Sequence, residues 1–132
     1  MSAIVVHSKA SQQVIDVTED VAALTASMDD GVCSLFTRHT KCALTVLTNE
    51  EGIAEDLLSV LHGLVPPTAA YVHDSADHVR AHVLSALVGP SVSVPVRGGS
   101  GWGNSSAFVL VEFEGPRQRE IDVTLAPGHP VL

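Results

Sequence analysis

Valine at every second position is the feature that most constrains this chain. Val92, Val94 and Val96 alternate with Ser91, Ser93 and Pro95, and Ala107, Val109, Val111 and Phe113 alternate with Phe108, Leu110, Glu112 and Glu114. β-Branched side chains are stiff at χ1 and fit a pleated surface at period two, so both runs predict strands. Pro95 lacks an N–H and belongs at an edge or a bulge. Residues 4–8 and 13–17 predict two more strands around a polar turn at 9–11, and residues 119–125 another after Gly115-Pro116. The segment 32–48 is β-rich almost throughout, with Cys33, Leu35, Thr37 and His39 on one face and room for a bend near Thr40.

Helical spacing interrupts this pattern. Thr18 is placed to cap a helix with Glu19 and Asp20 in its first turn, Val21, Leu24 and Met28 on one face, and Gly31 as its stop. Ile53, Leu57, Val60, Leu61 and Leu64 define a second helix, which Pro66 and Pro67 end. After an extended piece at 71–73, Val79, Val83, Ala86 and Leu87 mark a third, stopped by Gly89-Pro90. The sum is an α+β fold: one compact domain over residues 1–132, a mixed or antiparallel sheet backed by helices, and a loose tail at 126–132. Neither a repeat nor a domain-separating linker interrupts it.

The chain is 45% hydrophobic with only five aromatic side chains, so its core is aliphatic. A formal net charge of −8 sets a field that repels phosphate backbones and anionic membranes, which argues against general nucleic-acid binding. No apolar run approaches the roughly 20 residues of a membrane span, and residues 1–9 lack a secretory pattern. A cytoplasmic protein is expected. Cys33 and Cys42 have no CxxC spacing and read as buried free thiols.

Seven histidines are many for 132 residues, but their spacing fits neither HExxH nor a zinc finger. His78 and His82, at i,i+4, share a helical face; they suit either a pair of ligands or a pair of structural imidazoles. His62 and His129 read as exposed. No GxSxG elbow is present, and neither cysteine has a cationic neighbour in sequence. The glycine-rich segment 98–103 reads as a hairpin connection, since it leads from strand to strand rather than into a helix. Arg117 and Arg119, one residue apart, would point the same way on a strand. They would either grip an anion or pair with the abundant acids.

Several strings, in order, resemble the YjbQ-type family. They are Arg38-His39-Thr40 with Ala43-Leu44-Thr45-Val46, Tyr71-Val72-His73-Asp74, Ala81-His82 leading to Leu87-Val88-Gly89-Pro90-Ser91, Val94-Pro95-Val96, and Glu112 with Gly115-Pro116-Arg117 and Arg119. The resemblance implies a compact α+β fold assembled as a homotrimer, with histidines near an intersubunit cleft. It also implies a weak, secondary thiamine-phosphate synthase activity, joining a pyrimidine diphosphate to a thiazole phosphate with loss of pyrophosphate. By position it assigns His39, His73 and His82 as catalytic or metal-binding residues, with Glu50 as the carboxylate. Arg117 and Arg119 become the first candidates to hold a phosphorylated small molecule, with Arg38, Arg80 and Arg97 behind them. The implied cofactor is a divalent ion, zinc or magnesium.

Three departures stand out. Asn49-Glu50 falls two residues later than the family's Asn-Glu, a displacement of about 6–7 Å along a strand. Gly103-Asn104-Ser105-Ser106 stands in place of Gly-Thr-Trp-Gln, and Arg80-Ala81-His82 in place of His-Ala-His. The competing expectation is therefore a non-catalytic metal- or ligand-binding trimer on the same scaffold.

Overall fold

A computed structural model describes residues 2–73 and 75–128. The predicted strands form, in chain order, as β1 (Ser2–His7), β2 (Gln13–Asp16), β3 (Asp30–Phe36), β4 (Cys42–Thr48), β5 (Ser91–Arg97), β6 (Ser106–Glu112) and β7 (Gln118–Pro127). The helices are α1 (Thr18–Thr25), α2 (Ile53–Leu64) and α3 (Ala76–Val88). All pairing is antiparallel, and the strands divide into two sheets, ordered β1-β7-β3-β5 and β2-β6-β4. The expected antiparallel sheet is thus two stacked sheets, with α2 and α3 behind the three-stranded one.

Alternation explains the layering. Ile4, Val6, Cys33, Leu35, Ile121 and Val123 of the four-stranded sheet meet Cys42, Leu44, Phe108 and Leu110 of the three-stranded sheet in one core. The intervening residues of β4 and β6, namely Ala43, Ala107, Val109 and Val111, point the other way and pack with Leu61, Val65, Ala81 and Leu84 around α2 and α3. The three-stranded sheet is apolar on both faces, which is why β6 reads as nearly continuous hydrophobicity. β5 is an edge strand, and there Pro95 faces Val32 of β3.

Four local expectations are corrected. α1 ends at Thr25, before Met28 and Gly31; Gly31 instead lies in β3, pressed against Ala126 and Pro127 of β7. Thr18 opens α1 without capping it, because its Oγ1 accepts from Phe108 N–H (2.9 Å) and so ties the helix to β6. Segment 98–103 does not close a hairpin, since β5 and β6 belong to different sheets and the loop carries the chain between them. At the C-terminus, Ala126 and Pro127 pair with Val32 and Gly31 rather than hanging free; residues 129–132 of the expected tail lie outside the described residues.

Candidate functional site

The bend expected near Thr40 occupies residues 37–41, between β3 and β4. Thr37 N–H donates to Pro90 O (2.9 Å), so the bend is fastened to the end of α3. Between them opens a cavity of about 400 Å³, walled by Phe36 to Thr40 on one side and by His82, Ser85, Ala86 and Pro90 on the other. That is the size range of small-molecule sites.

Hydrogen-bond partners sort the imidazoles, since a nitrogen that accepts carries no proton. Arg119 Nη1 donates to His39 Nδ1 (3.4 Å), leaving His39 its proton on Nε2. Ser75 N–H donates to His73 Nδ1 (3.2 Å), which sets the same tautomer there. His82 is the reverse: its Nδ1 donates to Thr40 O (2.9 Å), so the neutral ring has a bare Nε2. That nitrogen meets His78 Nε2 at 3.0 Å.

His39 and His82 therefore share the cavity, and His73 lies behind His78, their ring centroids 5.3 Å apart. Among the described residues, no three His, Cys, Asp or Glu side chains converge as a metal site. The donors assigned from sequence do not fit an ion within one chain, because His39 and His73 present N–H rather than a lone pair. Magnesium fits least, since it prefers oxygen ligands to imidazole. Glu50 lines a different depression with Asn49 and Ile53, where its Oε2 accepts from Thr48 Oγ1 (3.3 Å).

The arginines also separate. Arg117 lies before β7 and is exposed, so it does not share a strand face with Arg119. Arg119 is buried and forked onto Glu112, with Nε to Oε1 at 2.9 Å and Nη2 to Oε2 at 2.6 Å. Burial alone would raise the Glu112 pKa. The Arg119 fork, the Ser8 hydroxyl (2.7 Å) and the Glu114 N–H (3.1 Å) outweigh it and hold the carboxyl below its ordinary value. This pair bridges the two sheets beneath the cavity, and Arg119 acts on the site through His39 rather than as a free anion grip. Arg38 stands at the mouth, 75% exposed and bonded to Asp122 (3.0 Å). Arg80 is buried elsewhere, donating from Nε to Val65 O (2.5 Å) at the end of α2 and from Nη2 to His62. Cys33 and Cys42 are buried free thiols, and burial raises both.

Two participants were not assigned from sequence. His78 announced itself only by its spacing from His82. Glu114 had no local signal; its Oε2 pairs with Lys41 and its Oε1 lies 3.6 Å from His78 Nδ1. The Lys41 ammonium, against a smaller desolvation cost, holds Glu114 below the usual carboxylate range.

The family description "UPF0047 protein YjbQ-like" matches residues 2–128. The chain belongs to the YjbQ-like family. A UPF0047 protein of Archaeoglobus fulgidus is 37% identical over 113 residues, covering 84% of this chain and 89% of that one. A UPF0047 protein of Mycobacterium tuberculosis is 35% identical over 124 residues, covering 90% of this chain and 92% of its own. Among solved structures, a conserved hypothetical protein from Thermus thermophilus superposes with a TM-score of 0.86 at 29% identity, covering 96% of this chain and 100% of that one. A hypothetical protein from Aeropyrum pernix gives 0.87 at 26%, covering 96% and 98%. The YjbQ-like fold and the single α+β domain are therefore established. Among the described residues no helix is long and apolar enough to cross a membrane.

Proposed function

We propose that this YjbQ-like protein binds a phosphorylated small molecule in the cavity between the 37–41 bend and α3. The observation that carries this reading is His39, whose Nδ1 is occupied by Arg119 and whose Nε2–H is left to donate from the wall of a 400 Å³ cavity. An imidazole fixed in one tautomer by a charged neighbour is a pre-organised donor for a phosphate oxygen, because no reorganisation accompanies binding. Arg38, exposed at the mouth and paired through Nε with Asp122, is the cationic side chain that lines this cavity.

The reaction that family resemblance suggests is a thiamine-phosphate synthase-type transfer, in which donors of this kind stabilise the departing pyrophosphate. Glu50 joins such a site only from a second copy. A homotrimer provides one, and it is supported by the apolar outer face of the four-stranded sheet, where Val5, Val32 and Phe36 are 51%, 42% and 43% exposed. The rival reading, a ligand-binding trimer without catalysis, shares the cavity and lacks turnover.

The test uses tag-free protein. Light scattering reads its oligomeric state, and calorimetry with a thiazole phosphate and a pyrimidine diphosphate reads binding. His39→Ala should weaken binding about tenfold or more, the worth of a charge-assisted hydrogen bond. Turnover of the two substrates together supports the transferase; binding without turnover supports the rival. Affinity unchanged in His39→Ala would remove the site from this cavity.

A further inference from the structure

Each ring of the His78–His82 pair turns one nitrogen outward toward an oxygen and the other toward its neighbour. His82 Nδ1 donates to Thr40 O at 2.9 Å, and His78 Nδ1 faces Glu114 Oε1 at 3.6 Å. The two Nε2 atoms meet at 3.0 Å, with the rings edge to face at 82°. If both outer nitrogens hold their protons, two lone pairs confront each other and a cation must lie between them. A single proton can serve. So can a metal ion, and imidazoles that bind metals commonly give their second N–H to a carbonyl or carboxylate in this way.

We propose that His78 and His82 form a two-imidazole chelate for a divalent transition ion. The pair sits at i,i+4 on α3, so the helix itself sets the spacing. Nitrogens 3.0 Å apart, each roughly 2.0–2.1 Å from a common ion, subtend roughly 91–97° there. A near-right angle suits the square or octahedral preference of Cu(II) or Ni(II) better than tetrahedral zinc. His78 is 38% exposed, so further coordination positions remain open to water or a ligand. His73, beside His78, is excluded as third ligand in its present tautomer because Ser75 N–H occupies its Nδ1. Lys41 takes the other oxygen of Glu114 and leaves Oε1 to orient His78.

The chelate touches the proposed function only through His82, which walls the same cavity, and the experiment keeps the two apart. Tag-free protein stripped with a chelator is titrated with Cu(II) and with Ni(II), without any phosphorylated compound, and heat or dye competition reads affinity and stoichiometry. One equivalent should bind. His78→Ala and His82→Ala should each weaken binding by roughly 100-fold or more, and Glu114→Gln by about tenfold, the usual worth of an outer partner. His39→Ala and His73→Ala should stay within about threefold, since neither presents a lone pair to the ion. His78→Ala keeps helix propensity and a part-exposed position, so a folded variant is expected by circular dichroism. No uptake by the wild-type protein, or unchanged affinity in His78→Ala, overturns the chelate. Either result leaves phosphate binding at His39 intact as a separate question.

Discussion

At the scale of single residues, position and tautomer carry the chemistry. His39, His73 and His82 were assigned alike from sequence, yet Arg119, the Ser75 amide and the Thr40 carbonyl give them opposite proton placements. Two of those three partners are main-chain groups, which no side-chain pattern reveals, and the third lies 80 residues away. Arg119 in turn depends on Glu112, which is fully buried and accepts from Ser8 as well. Glu112→Gln would leave the Arg119 guanidinium buried without its counter-charge. Breaking one side of such a pair costs about 3–5 kcal/mol. Urea unfolding should show that loss through a lower midpoint at unchanged slope. A change below about 1 kcal/mol would mean that water, not Glu112, solvates Arg119.

At the scale of elements, legibility follows the strength of the local period. α2 carries five apolar residues at helical spacing before two prolines, and it forms as Ile53–Leu64. The alternation in β5 and β6 fixes those strands directly. What failed were assignments in which long-range contact overrides a local signal. Gly31 resembles a helix stop, but the chain needs it for closeness: a Cβ there would fall well inside contact of Ala126 O and Met28 Cε, and 2.9 Å from Pro127 Cα. Two of these are backbone atoms held by the β3–β7 ladder, which pairs Gly31 with Pro127 and Val32 with Ala126. Gly31→Ala should therefore destabilise at or above the upper end of the roughly 1–3 kcal/mol typical of overpacking. Hydrogen exchange should show the loss first at residues 124–126. Unaltered protection there would indicate that Met28 alone yields and the strands do not part.

At the scale of the whole molecule, the two depressed carboxylates tie the sheets, and the site above them, to pH. Glu112 bridges the two sheets through Arg119, and Glu114 holds Lys41 and faces His78, so both stabilise the fold as anions. Each has a folded-state pKa below the ordinary carboxyl value of 4.5, so near that pH the unfolded chain binds more protons than the native one. The stability they supply is complete above that unfolded value and is lost as pH falls through the depressed folded values. A difference of one bound proton amounts to about 1.4 kcal/mol per pH unit. Urea unfolding at neutral pH and at a series of points below pH 4.5 should show this slope. Glu112→Gln, already weakened at neutral pH, should show a shallower one, because the substituted side chain no longer titrates. Parallel slopes for the two proteins would place the acid sensitivity elsewhere, in the repulsion among seven protonated histidines and seven lysines and arginines as the acids discharge.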